Sequence, residues 1–178
     1  MAKTVFRVVA VWTMLMMGVV APAVAETTTE KARALGVGPV TNLPLPRFVS
    51  LRSNEINVRR GPGLDYRKDW VFRRAGLPVR VVAEYGDWRR IVDKDEAGGW
   101  VFHALLTGRR TALITEPMTT FRKDPTDAAR AIAHAEQGVV ARLLACDELW
   151  CRVAADGNTG WVRKTAIWGV DGAETFGR

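Results

Sequence analysis

Histidine and cysteine are scarce in this chain: there are two of each, His103, His134, Cys146 and Cys151. Neither histidine has a partner at metal-ligand spacing, so no metal residues are assigned and both histidines read as structural or solvated. A hydrolase needs a nucleophile with a base beside it, and neither histidine lies near the cysteine pair or within a signature of such an enzyme. No catalytic or cofactor-binding residues are therefore expected, and no cofactor. Long apolar runs are equally rare. The one run, Val8 to Val20, is well short of the ~20 residues that cross a bilayer as a helix. No Asp or Glu occurs before Glu26.

What is present gives those absences a context. Lys3 and Arg7 precede the apolar run, and Ala23-Val24-Ala25 puts small residues at the two positions a signal peptidase reads, so residues 1–25 read as a secretory signal cleaved after Ala25. No Cys sits at that point to carry a lipid anchor, and no membrane span is expected after the signal is removed. The formal charge of +7 falls to +5 when Lys3 and Arg7 leave. A basic surface suits an anionic partner; outside the cytoplasm, nucleic acid is not expected to be that partner. Export places the chain in the periplasm or beyond the cell, where Cys146 and Cys151 read first as a disulfide. A catalytic thiol is the alternative.

Residues 26–46, with Gly36, Gly38, Pro39, Pro44 and Pro46, read as a flexible leader, with room for one helical turn around Lys31 to Leu35. From Arg47 the chain becomes short β-type runs separated by turn residues: Phe48 to Arg52, Ile56 to Arg59, Trp70 to Arg73, Val79 to Ala83, Trp88 to Asp93 and Trp100 to Phe102. Turns are expected at Gly61-Pro62-Gly63, Gly76, Gly86-Asp87 and Gly98-Gly99. The order then repeats. Val58-Arg59 aligns with Phe121-Arg122 and Pro62 with Pro125 at an offset of 63, Trp88 with Trp150 at 62, and Gly99-Trp100-Val101 with Gly160-Trp161-Val162 at 61. An offset that drifts at turns while Trp returns to Trp is the mark of duplication with loop deletions. The expected fold is all-β, with one unit over 47–108, a second over 109–170 and a tail over 171–178. Thr107 to Arg110 is too short a connection to act as a tether, so the units should pack together. The Ala-rich stretch Asp127 to Gln137 has helix propensity, but its place in the repeat argues for a strand or an irregular turn.

Asn57-Val58-Arg59-Arg60-Gly61-Pro62-Gly63, followed by a Trp-led strand and then Gly-Trp-Val, resembles the bacterial SH3-like family, and the resemblance covers residues 47 to 169. It implies two tandem SH3-like β-barrels and a ligand that is a cell-wall peptide or an envelope protein. The chain is most similar to exported two-repeat members that carry a Cys pair around the Trp of the second unit, here Cys146 to Cys151. In the second repeat Phe121-Arg122-Lys123-Asp124-Pro125 lacks both glycines, so binding is expected through the first barrel.

Physically, Gly61 and Gly63 permit backbone angles closed to other residues and Pro62 fixes the turn between them. Arg59 and Arg60 then lie on opposite strand faces, one of them toward solvent. Tyr66, Trp70 and Tyr85 lie near turns and are candidates for an exposed aromatic groove. At least one Trp of each aligned pair, Trp88 with Trp150 and Trp100 with Trp161, is expected to pack the core. Asp93, Asp95 and Glu96 do not complete a calcium loop and read as a charged hairpin tip. The function expected is a non-catalytic exported module that binds cell-wall peptide or another envelope component. The alternative is a periplasmic adaptor for an envelope enzyme or assembly.

Overall fold

A computed structural model of the chain describes residues 35–177. The expected signal, with Ala23 and Ala25, and residues 26–34 of the expected leader lie outside the described residues. The first unit is built from β1 (Arg47–Leu51), β2 (Ile56–Arg59), β3 (Lys68–Phe72), β4 (Pro78–Tyr85), β5 (Trp88–Val92), β6 (Gly98–Phe102) and β7 (Leu106–Thr107), with a 3-10 turn at His103–Leu105. The second repeats it with β8 (Thr111–Ile114), β9 (Met118–Arg122), β10 (Ala131–Glu136), β11 (Val140–Cys146), β12 (Trp150–Ala155), β13 (Asn158–Arg163) and β14 (Ile167–Trp168), and a 3-10 turn at Lys164–Ala166. The fold is all-β.

Strand order runs β3-β2-β6-β5-β4-β1-β7 in one seven-stranded antiparallel sheet and β10-β9-β13-β12-β11-β8-β14 in the other. The two sequences of strands are the same permutation, which is what the drifting offsets anticipated. The Ala-rich stretch is strand β10, paired with β9 from Ala131↔Arg122 to Glu136↔Met118; sheet pairing overrides its helix propensity. Each sheet curls around its own core. Leu51, Ile56, Val58, Val79, Val81, Ile91 and Val101 fill the first; Ile114, Phe121, Leu143, Val153 and Val162 fill the second. Alternate residues on each strand supply these side chains, as a half-buried strand requires.

Gly98-Gly99 does not form a turn. Both residues belong to β6, and the turn falls at Asp93 to Ala97, where the Asp93 carboxylate accepts the backbone N–H groups of Asp95 and Ala97. The glycines are there because strands approach too closely for a side chain: a Cβ on Gly98 would lie 2.0 Å from the Ile91 carbonyl oxygen, and one on Gly99 2.7 Å from that of Arg59. Gly160, aligned with Gly99, is under the same constraint, 2.8 Å from the Phe121 Cβ.

The short connection does make the units pack together. Phe48 of β1 meets Trp168 of β14 edge to face at 5.0 Å. The Thr111 hydroxyl donates to the Gly76 carbonyl at 2.6 Å and its oxygen lies 2.6 Å from that of Ser50, both side chains being buried. Arg74 reaches the Gly138 carbonyl at 2.6 Å from the other side.

The described part of the leader, from Leu35 to Pro46, is held against the first unit. Val37 pairs with Pro44, and Glu84, whose carboxylate is wholly buried, takes hydrogen bonds from the Val40 and Thr41 N–H groups, the Thr41 hydroxyl and Arg47. The chain after β14 docks similarly on the second unit. Phe176 exchanges two backbone hydrogen bonds with Cys146, and Arg110 lies between the Phe48 and Phe176 rings while pairing with Glu174.

Candidate functional site

On the first unit the inward residues of β5 and β6 are Arg89, Ile91, Gly99 and Val101, which leaves Trp88, Arg90, Trp100 and Phe102 facing outward. Register then arranges them in rows, because residues opposite one another in an antiparallel pair share a face. Tyr85↔Trp88 and Trp88↔Phe102 make one row across β4, β5 and β6, and Arg90↔Trp100 with Arg59↔Trp100 makes the next. Trp88 and Phe102 meet edge to face at 5.8 Å, and the His103 ring lies 4.9 Å from that of Phe102. Tyr85 is 66% exposed and Phe102 38%, so the row is open to solvent.

The Gly61-Pro62-Gly63 segment borders this face, but it works by a different mechanism from the one its glycines suggest. Neither glycine has a positive φ. Gly61 is required because the Tyr66 ring lies over it, 2.4 Å from where a Cβ would stand. Arg59 then fastens the loop, donating to the Leu64 and Tyr66 carbonyls at 2.7 and 2.6 Å. Arg59 is thus the loop's staple, and Arg60 is the arginine that points to solvent. Arg60 and Arg67 both reach Asp69, and the Arg67 hydrogen bond, opposed by partial desolvation, holds that carboxyl below its ordinary range. Gly61→Ala should push the Tyr66 ring off the loop and lower stability by about 1 kcal/mol, readable by chemical denaturation and by tyrosine fluorescence.

Trp70 does not join the exposed groove. It lies opposite Val58 in the register, packs against the first core and meets Phe72 edge to face at 6.2 Å. Of the aligned tryptophans only Trp150 is buried; Trp88, Trp100 and Trp161 are half-buried on outward faces. The core needs no tryptophan, since Val, Ile and Phe121 already fill it. Phe102 was not singled out in the sequence, yet its spacing of two from Trp100 signals a shared strand face. His134 bonds only the Thr120 hydroxyl, and no cluster of three or more His, Cys, Asp or Glu occurs among the described residues.

In the second unit the tryptophan at the corresponding position is covered. Arg163 occupies the place of Phe102 in the register, opposite Trp150, and its guanidinium lies 4.8 Å over the Trp150 ring. Asp127 grips that guanidinium from outside; the hydrogen bond lowers the Asp127 carboxyl and raises Arg163. Trp150 is left 6% exposed. A cleft of about 720 Å³ adjoins it, lined by Pro125, Asp147, Glu148, Leu149, Trp150, Trp161 and Phe176.

Cys146 and Cys151 form a disulfide across the β11–β12 hairpin, from directly opposed positions. The equivalent opposed pair in the first unit is Glu84↔Arg89, where Arg89 Nε lies 3.5 Å from the Glu84 carboxylate. The same hairpin position is therefore closed by an ion pair in one unit and by a covalent bond in the other.

A family model for the bacterial SH3 domain matches residues 52–108 and 116–169. YrvJ of Bacillus subtilis, a protein named for N-acetylmuramoyl-L-alanine amidase activity, is 28% identical over 123 residues, 63% of this chain and 24% of its own length. NlpC2 from Trichomonas vaginalis superposes with a TM-score of 0.33 at 14% identity, covering 72% of this chain and 51% of that one. An NlpC/P60 family protein from Bacillus cereus gives 0.31 at 15%, covering 68% and 55%. The chain thus spans about a quarter of the amidase and about half of the solved structures.

Proposed function

The chain belongs to the bacterial SH3 domain family, and from that premise we propose that it is a non-catalytic binding module outside the cytoplasm, holding a cell-wall peptide on the outward face of its first unit. The observation that carries this reading is the open row Tyr85, Trp88 and Phe102, set against the second unit's equivalent, which Arg163 and Asp127 cover. Exposed aromatic rings give a ligand apolar contact at small entropic cost. Arg90, exposed and without an ion pair among the described residues, stands in the adjoining row to meet a carboxylate, and Arg60 stands at its border. The likeness to a protein named as an N-acetylmuramoyl-L-alanine amidase supports a wall ligand, and the signal-like residues 1–25 support a periplasmic or secreted location. The disulfide agrees with an oxidising compartment. No helix among the described residues is long and apolar enough to cross a membrane.

The test is retention of the whole mature chain on purified sacculi. Tyr85→Ala combined with Phe102→Ala should lower retention about tenfold, the effect of losing two aromatic anchors from a small interface, and Arg60→Ala should lower it further at low salt. Retention equal to the parent chain in both variants would remove the first unit's face from consideration. A crosslinked complex that survives complete digestion of the wall would favour the adaptor reading instead.

A further inference from the structure

Between the two units lies a cleft of about 720 Å³ whose lining includes Arg52, Arg109, Arg142, Thr107, Thr111 and Asp156. Each unit contributes to it: Arg52 follows β1, Arg109 is in the connection, Arg142 is on β11, and Asp156 is at the β12–β13 turn. On its floor the Thr111 hydroxyl donates to the Gly76 carbonyl at 2.6 Å and the Ser50 hydroxyl to the Arg109 carbonyl at 2.7 Å. Arg52 is anchored on the Leu106 carbonyl at 3.2 Å. The Arg109 and Arg142 guanidinium groups make no ion pair or side-chain hydrogen bond among the described residues, and both residues are exposed.

Three guanidinium groups with no carboxylate bound to any of them constitute a local excess of positive charge held on a rigid frame, whereas Asp69, Glu84, Asp127 and Glu174 elsewhere are each matched with arginine. Planar guanidinium forks bind carboxylates in pairs of hydrogen bonds. Asp156 adds one carboxylate, also without an ion pair, which repels a ligand that is anionic throughout and attracts one that also carries an ammonium group.

We propose that this cleft binds an acidic peptide bearing an amino group, its carboxylates on Arg52, Arg109 and Arg142 and its ammonium on Asp156. The site is separate from the aromatic face and requires both units, which gives the close packing of the barrels a role in recognition.

The probe is the peptide glutamyl-lysyl-glutamate, titrated into the isotope-labelled mature chain with amide chemical shifts as the readout, and inorganic pyrophosphate is titrated in parallel. Saturable shifts are expected at residues 107–111, 142 and 154–156, with the peptide binding more tightly than pyrophosphate. Arg109→Ala with Arg142→Ala should weaken the peptide about tenfold or more, since two charge-assisted contacts are lost. Asp156→Asn should reverse the preference toward pyrophosphate. Tyr85→Ala with Phe102→Ala should leave these shifts unchanged, so the outcome is independent of the wall-retention test. Absence of saturable shifts, equal peptide binding by the double arginine variant, or tighter binding of pyrophosphate by the parent chain would each overturn the proposal. All the substituted side chains are exposed, and the retained amide spectrum verifies folding.

Discussion

Glu84→Gln should cost the first unit about 3 kcal/mol, the usual consequence of removing one partner from a buried ion pair. The Glu84 carboxylate is wholly buried against Arg47 and Arg89 and takes three further hydrogen bonds from Val40 and Thr41. Glutamine keeps the shape and loses the charge, so both guanidinium groups lose their anionic partner. Gly38 adds a second constraint, since a Cβ there would stand 2.2 Å from the carboxylate; the segment is cut to fit this one group. Hydrogen exchange at residues 37–47 should therefore rise in the variant well beyond any change in β10 to β14. A variant whose melting temperature and 37–47 exchange match the parent would show that the carboxylate is not the clamp.

The same group sets an acid limit. Burial pushes the Glu84 carboxyl up, but the hydrogen bonds from Thr41 and Arg47 outweigh it and hold the pKa at about 2, against 4.5 in the unfolded chain. Because the folded value is the lower one, the stabilisation is complete above pH 4.5 and fades as pH falls from there to about 2. A depression of that size corresponds to about 3 kcal/mol. Parent and Glu84→Gln should therefore converge in stability across that window and differ by a constant amount at neutral pH. Glu174, held low by Arg110 against the opposing effect of burial, adds a smaller dependence of the same sign in the second unit.

Reduction of Cys146–Cys151, or Cys146→Ala with Cys151→Ala, should destabilise the second unit by about 2 kcal/mol, the value for closing so short a loop. In a unit of this size that corresponds to a drop of about 10 °C in melting temperature. The structure adds a directional expectation. Cys146 exchanges both backbone hydrogen bonds with Phe176, so loosening the hairpin should also release the segment from Asp171 to Gly177. Limited proteolysis under reducing conditions should cut there first, and first cleavage in β1 to β7 would contradict this. The first unit, whose equivalent pair is Glu84 and Arg89, should melt at the same temperature with or without reductant when the two transitions are resolved.

Individual residues show how far a sequence can be followed. The duplication, the all-β class and the disulfide were legible, because they rest on local periodicity, on repeated spacing and on two cysteines five positions apart; the sheet order was not, and the Ala-rich stretch was narrowed only to a strand or an irregular turn. Arg60 and Tyr85 were found as exposed groups. Tyr66 is exposed as well, at 49%, besides covering Gly61, whereas Arg59 is a loop staple and Trp70 a packing residue. Those distinctions depend on which carbonyl lies within 3 Å of a guanidinium and on which strand lies opposite, facts that no spacing rule contains. The turn assigned to Gly98-Gly99 failed for a related reason: glycine serves a close strand crossing as well as a reversal, and only the neighbour's position tells the two apart.

The sequence by itself determined the class of fold, its twofold plan and the pairing of its cysteines, since those follow from side-chain periodicity and short-range geometry. The tertiary structure alone decided which face is open, by placing Phe102 beside Trp88 in one unit and Arg163 over Trp150 in the other. It also gathered Arg52, Arg109, Arg142 and Asp156, more than a hundred positions apart at their extremes, around one cleft. Contacts at such separation are set by how the sheets curl and pack, and that information resides in the whole chain rather than in any segment of it.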